Sequence, residues 1–176
     1  MDELAKGLRV SKKTIYKYFP SKSKLVDAAV KSFQKKIKKK INKIIDDEDN
    51  SISQIRALTS FFANLSLKVN ERVMYDLQTH RPDLWKKIDE FRTKLIEEIW
   101  VKIINQGKID GVIVDAPNEI IIQIVISAIR SVVNPEFLIN HNYSIKEAFD
   151  IAFGIIIRGI LTEAGLKKYN NFLQEK

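Results

Sequence analysis

An all-α fold is predicted by three features of this 176-residue sequence. Apolar residues recur at spacings of three and four along most of the chain, the period of helices that bury one face. Glycine and proline, six and four in number, are too few to punctuate a series of short strands. No stretch alternates with period two; the nearest to a strand is Val112-Ile113-Val114, bounded by Gly111 and Pro117.

The elements follow in order. Asp2 to Leu8 reads as a short helix with Leu4, Ala5 and Leu8 on one face, and Gly7 to Val10 as a turn. Ser11 is placed to cap a second short helix, Lys12 to Phe19, whose inward face is Ile15, Tyr18 and Phe19. Pro20 stops it, and Ser21 caps a long third helix to about Ile45, with Leu25, Ala28, Ala29, Phe33, Ile37, Ile41 and Ile44 in register. The acidic cluster Asp46 to Asn50 breaks the pattern and sets an expected boundary between residues 1–45 and 46–176. Beyond it come Ile52 to Val69, Glu71 to Thr79, and a long amphipathic helix from Asp83 to Gln106. Gly107 to Pro117 reads as a loop. Asn118 would cap an almost wholly apolar helix to Val133, which Pro135 ends; a looser segment reaches Tyr143. Ser144 caps the last helix, to about Ala164, with Gly165 as its stop.

Charge is distributed unevenly. Residues 1–45 hold fourteen Lys or Arg against three acids, a net +11; the rest hold sixteen against nineteen, a net −3. Such asymmetry points to an anionic polymer or surface as partner of the N-terminal end. Cysteine is absent, which excludes a disulfide framework, thiolate catalysis and Cys-based zinc, and fits a reducing cytoplasm. The opening Met1-Asp2-Glu3 has no apolar stretch, so no secretory signal is expected. The apolar runs Ile120 to Ile129 and Ile151 to Leu161 are too short or interrupted to cross a bilayer.

Two short helices joined by a tight turn, the second Ser-capped and followed by a basic helix, form a helix-turn-helix arrangement. In it the first helix braces the second, which presents its N-terminal residues to the major groove. Lys12, Lys13, Thr14, Tyr16 and Lys17 lie off the Ile15/Tyr18/Phe19 face and can reach DNA. Lysine suits guanine acceptors, threonine offers a hydroxyl or a methyl contact, and tyrosine can donate to phosphate. Lysines in the first turns at Lys12, Lys13, Lys22 and Lys24 oppose the helix dipole unless a phosphate docks there.

The segment Met1 to Leu25 resembles the DNA-binding signature of the tetracycline-repressor (TetR/AcrR) family. The likeness is densest over Val10-Ser11-x-x-Thr14-Ile15-Tyr16-x-Tyr18-Phe19 and Ser21-Lys22-x-x-Leu25. It implies that the helix from Ser11 to Phe19 is the recognition helix, that Tyr18 lies near the DNA backbone, and that Lys22 clamps a phosphate. It further implies a homodimer through helices near 118–133 and 144–164, with a ligand pocket enclosed by the middle helices. Members of that family have a helix before the one beginning at Asp2. The resemblance therefore implies an upstream start or a shortened chain, with Leu4, Leu8, Ile15 and Phe19 short of a packing partner.

Lys31 to Ile45 is a basic amphipathic helix that would suit a membrane surface or an acidic protein, but an apolar stripe packed on a core with lysines in water explains it as well. His80 and His141 are far apart with no metal-ligand spacing, and no phosphate-cradling glycine loop is present. No catalytic residue, metal ligand or cofactor is expected. Phe61, Phe62, Tyr75, Trp85, Phe91 and Trp100 are candidate pocket residues for a largely apolar effector. The expected protein is thus a cytoplasmic, ligand-responsive regulator, a repressor released from a double-stranded DNA operator by a small molecule. The alternative is a non-catalytic helical scaffold or membrane-surface protein using its basic helix. Charged substitutions at Ile124 or Ile156 are expected to disturb dimerisation or folding.

Overall fold

A computed structural model describes the backbone of residues 1–174 and the side chains of residues 1–171. Among the described residues there are ten helices and no strand, so the chain is all-α. Two compact units divide it, Met1–Lys40 and Ile41–Lys176. The division falls inside the third helix, a few residues before the acidic cluster. Ile41 is fully buried and belongs to the second unit, whereas Phe33 is exposed.

The first unit contains α1 (Asp2–Gly7), α2 (Lys12–Tyr18) and the start of α3 (Lys22–Asp47). Leu8 closes α1, and Arg9 then takes a left-handed conformation, φ 54°, uncommon for a residue with a Cβ. That residue redirects the chain so that the Val10 amide donates back to the Ala5 carbonyl at 3.0 Å. Pro20 follows the extended Phe19, and the Lys24 amide donates to Ser21 Oγ at 3.2 Å to open α3. Leu8 is 59% exposed and Leu4 is also exposed, as expected for residues without a partner. Ile15 departs from that expectation: it is 5% exposed and sits with Ala5 as the buried pair of this unit.

The second unit begins at Ile41 and continues with α4 (Ser51–Ser66), α5 (Glu71–His80), α6 (Pro82–Ile109), α7 (Asn118–Val132), α8 (Pro135–His141), α9 (Ile145–Ile160) and α10 (Glu163–Gln174). Helix α6 packs on α4, α5 and α7; α9 packs on α4 and α7, α8 on α5 and α10 on α4. Ile55, Ile103, Ile104, Val125, Leu138 and Ile157 form its driest positions. Asn50, Asn70, Asn134 and Ser144 each accept a backbone amide at the start of the following helix, and Ser144 with Glu147 forms a capping box.

Three expectations are corrected. The segment after Pro135 is the helix α8, because Pro135 occupies its first turn behind the Asn134 cap. The last long helix stops at Ile160, and Gly165 lies inside the further helix α10, where it packs on the Val112 backbone. Asn118 does not cap α7; its amide side chain donates to Asn105 Oδ1 at 2.7 Å.

Two clips hold the second unit together. One is a short antiparallel bridge between Ile113 and Leu161. There the Val114 amide donates to the Ile160 carbonyl at 2.9 Å, and the Thr162 amide to the Val112 carbonyl at 3.1 Å. The other joins α6 to α7: Asp89 accepts from Arg92 Nη2 at 2.9 Å and from Arg130 Nε at 3.0 Å, and Arg92 Nη1 donates to the Val133 carbonyl at 3.4 Å.

The Arg130 hydrogen bond, followed by that of Arg92, holds the Asp89 carboxyl below the usual carboxylate range. A depressed acid stabilises the fold fully above its unfolded value near ~3.9, and the contribution is lost as pH falls through the folded value. Asp89→Asn is therefore expected to lower stability at neutral pH by about 1–2 kcal/mol, allowing for partial exposure. The gap between wild type and variant should narrow as the solution is acidified from neutral pH through the lowered folded value. Melting temperatures of both proteins at neutral and at acid pH check this; an equal gap at each would remove the ion pairs from the account.

No single helix among the described residues is long and apolar enough to cross a membrane. Helices α7 and α8 reach that length and composition only together, and they are bent by 56°.

Candidate nucleic-acid interface

The first unit builds its candidate surface on α2. Ser11 Oγ accepts from the Thr14 amide at 3.0 Å and shares a 2.8 Å hydrogen bond with Thr14 Oγ1. This fixes the first turn, while burial of Ile15 fixes the helix's rotation about its own axis. Every nominated residue then faces solvent: Lys12, Lys13, Thr14, Tyr16, Lys17 and Tyr18 on or at the end of α2, and Lys22 at the start of α3. Tyr16 is 45% exposed. Tyr18, placed by sequence on the inward face, is among the most exposed rings of the chain, which is a correction to that face. Phe19 alone continues inward, half-buried.

Lys12 pairs with Asp2 of α1, a brace between the two short helices, and the pair lowers the Asp2 carboxyl below its ordinary value. The electrostatics of this unit are otherwise one-signed. Between Lys6 and Ile45 the only acid is Asp27. A surface of hydroxyls, a phenol and exposed ammonium groups on a fixed helix can bind phosphates and read base edges.

The candidate pocket residues of the second unit are partly brought together. Phe61 and Phe62 on α4 meet edge-on at 5.2 Å between ring centroids. Phe62 reaches Phe149 at 5.8 Å, Phe149 stacks on Phe153 at 5.1 Å, and Phe153 reaches the buried Trp100 at 6.1 Å. The two linking rings on α9 were not nominated from sequence. Their spacing of four places them on one helix face, but only the packing of α4, α6 and α9 makes that face continuous with the other rings. Trp85 and Phe91 are half-buried and Tyr75 exposed, and none joins a ring pair among the described residues. His80 and His141 are both exposed, and no group of three His, Asp or Glu among the described residues could hold a metal ion.

Residues 1–29 match the model of the bacterial regulatory proteins of the tetR family. Over 167 residues the chain is 25% identical to the uncharacterized HTH-type transcriptional regulator YvaF of Bacillus subtilis (strain 168), spanning 93% of this chain and 86% of that protein. Over 118 residues it is 25% identical to the nucleoid occlusion factor SlmA of Vibrio campbellii (strain ATCC BAA-1116), 60% of this chain and 58% of that one. Among solved structures, the reduced form of E. coli NemR superposes with a TM-score of 0.63 at 14% identity, covering 92% of this chain and 86% of its own. The ketosteroid transcriptional regulator KstR2 of Mycobacterium tuberculosis superposes with a TM-score of 0.59 at 17% identity, covering 90% and 83%. These structures share the fold.

Proposed function

We propose that this chain is a DNA-binding regulator of the tetR family, whose model matches residues 1–29, and that it is a cytoplasmic homodimeric repressor, released from its operator by a small, largely apolar molecule. The observation that carries the DNA-binding part is the exposed set Lys12, Lys13, Thr14, Tyr16 and Lys17 around the single buried residue of α2, Ile15. In the docked state α2 enters the major groove, Tyr18 lies at the backbone and Lys22 holds a phosphate.

Dimerisation is supported by the outward faces of α7 and α9. Ile120 and Ile124 on one, and Ile151 and Ile155 on the other, are all more than half exposed. The two helices are neighbours, and Gly154 and Gly159 leave open space beside them. An apolar face of this kind on two adjacent helices is suited to a four-helix bundle with a second copy. Two recognition helices must then match successive major grooves, about 34–36 Å apart. An effector that binds better to a dimer with another spacing lowers operator affinity by population shift. The half-buried Phe61 and Phe62, linked through Phe149 and Phe153 to Trp100, support an apolar effector.

The test is a titration against duplex from the protein's own promoter at two salt concentrations. Saturable, palindrome-selective binding is expected, and weak sequence-blind binding would move the scaffold or membrane-surface reading ahead. Tyr16→Ala and Lys17→Ala should each weaken operator binding by about 10- to 100-fold, the effect of losing one good contact, without dissociating the dimer. Unchanged affinity in either variant would reject this docking.

A further inference from the structure

The lysines of α3 outnumber what a phosphate clamp at its start requires. Lys24, Lys31, Lys35 and Lys39 are all exposed. At 3.6 residues per turn they fall within about 80° around the helix. Phe33 and Ile37 lie on the opposite side. The result is a straight basic stripe about 22 Å long at 1.5 Å per residue. Like charges four residues apart repel, and a helix that needed only solubility would mix signs. The other long helices do mix them: Lys86 pairs with Glu90 on α6 and Lys146 with Asp150 on α9. On α3 the acids are Asp27, at the edge of the stripe between Lys24 and Lys31, and Asp46 and Asp47 at the far end, where Lys43 pairs with Asp47.

We propose that this stripe is a second interaction surface for duplex DNA, one that follows the phosphate backbone without reading sequence. Charge complementarity and spacing favour that partner. Lys31 to Lys35 and Lys35 to Lys39 each advance about 6 Å along the helix, and alternate phosphates of one strand advance about 6.8 Å along a duplex. The surface rests on the DNA-binding reading above and deepens it: the residues on α2 choose the site, and the stripe supplies affinity for any duplex.

Screening decides what form the effect takes. Lys31 lies about 13 Å along α3 from Lys22, beyond the screening length of about 8 Å at physiological salt. A duplex docked only at the start of α3 would leave Lys31, Lys35 and Lys39 electrostatically silent. The stripe contributes through its own phosphate contacts, and each contact releases counterions and steepens the fall of affinity with salt.

The test compares the full-length wild type with two triple variants of equal charge. One is Lys31→Gln/Lys35→Gln/Lys39→Gln, on the stripe; the other, Lys36→Gln/Lys40→Gln/Lys43→Gln, is off it. Glutamine keeps helix propensity close to that of lysine, and circular dichroism checks that each variant is folded. Binding to a random-sequence duplex and to the protein's own promoter is measured from 50 to 200 mM salt. Three lost contacts should flatten the log–log slope by about 2.7, so the stripe variant loses about 40-fold less affinity than wild type across that range. The off-stripe variant should keep nearly the wild-type slope. Equal flattening in both would reduce the effect to net charge and overturn the proposal. Unchanged duplex slopes, with loss of wild-type cosedimentation on phosphatidylserine-containing vesicles, would overturn it in favour of a membrane partner. The stripe variant should also leave the promoter-to-random affinity ratio intact, whereas Tyr16→Ala should lower it. A wild type with no promoter preference would sink the regulator reading alone, because the stripe is still read on random duplex.

Discussion

Gly165→Ala is expected to destabilise the second unit by about 3 kcal/mol, at the upper end of the usual cost of overpacking. A Cβ at this position would collide with the Val112 carbonyl oxygen, and the Val112 Cα would be 3.2 Å away. Both obstacles are backbone, so no rotamer change relieves them. Nor can the carbonyl swing aside freely, because it accepts the Thr162 amide at 3.1 Å. The start of α10 is equally fixed, with the Gly165 amide donating to Thr162 Oγ1 at 3.1 Å and Thr162 Oγ1 donating to the Gly111 carbonyl at 2.8 Å. Accommodating one methyl group therefore means opening the Ile113–Leu161 bridge. The melting temperature should fall by about 6–12 °C. Gly111→Ala makes an instructive comparison, since that residue has φ 66° and nothing within 4 Å of its would-be Cβ. Its cost is backbone strain alone, about 1–2 kcal/mol. A Gly165→Ala protein melting within 2 °C of wild type would mean that α10 does not close on this loop.

The same glycine shows where local reading fails. From sequence, Gly165 and Pro135 both read as stops, because those residues commonly end helices. In the structure each serves a helix that follows: Pro135 fills the first turn of α8, and Gly165 lets α10 approach another backbone. The first is recoverable from Asn134-Pro135, a cap followed by a first-turn proline. The second is not, because the need for a missing side chain arises from a loop more than fifty residues away. The candidate DNA-facing surface was legible for the opposite reason. Its cap, its buried Ile15 and its exposed lysines are all set within one and a half turns of helix.

Phase around an almost wholly apolar helix was the other thing sequence could not fix. In Ile151 to Ile157 nearly every position is hydrophobic, so periodicity does not tell the inward face from the outward one. The sequence marks Ile156 as a position where a charge disturbs dimerisation or folding, without telling the two apart. Ile156 is 7% exposed, in the core of the unit, while its neighbour Ile155 is 69% exposed. One residue is about 100° of helix rotation, enough to exchange core for surface. On α7 the phase was readable, because Gln123 and Ser127 mark the side on which Ile124 is exposed.

That adjacency makes glutamate at the two positions a sharp test of the proposed assembly. Ile156→Glu places an unpaired carboxylate among buried side chains, including Phe153 and Ile157. A cost above about 4 kcal/mol is expected for such a change, a large part of a typical total stability of about 5–15 kcal/mol. The second unit should lose its cooperative melting transition. Ile155→Glu leaves the core untouched and should preserve the helical circular dichroism of the monomer. Its carboxylate would instead be buried against a second copy, so sedimentation should show monomers. With only one recognition helix engaged at a time, operator affinity should fall by about 100-fold or more, the avidity lost when two linked contacts become one. A folded, dimeric Ile155→Glu protein with wild-type operator binding would remove the α7–α9 face from the interface. Loss of folding in both variants would show that α9 turns both residues inward. Only a folded monomer at Ile155 beside an unfolded chain at Ile156 places the boundary between core and partner surface between these two side chains.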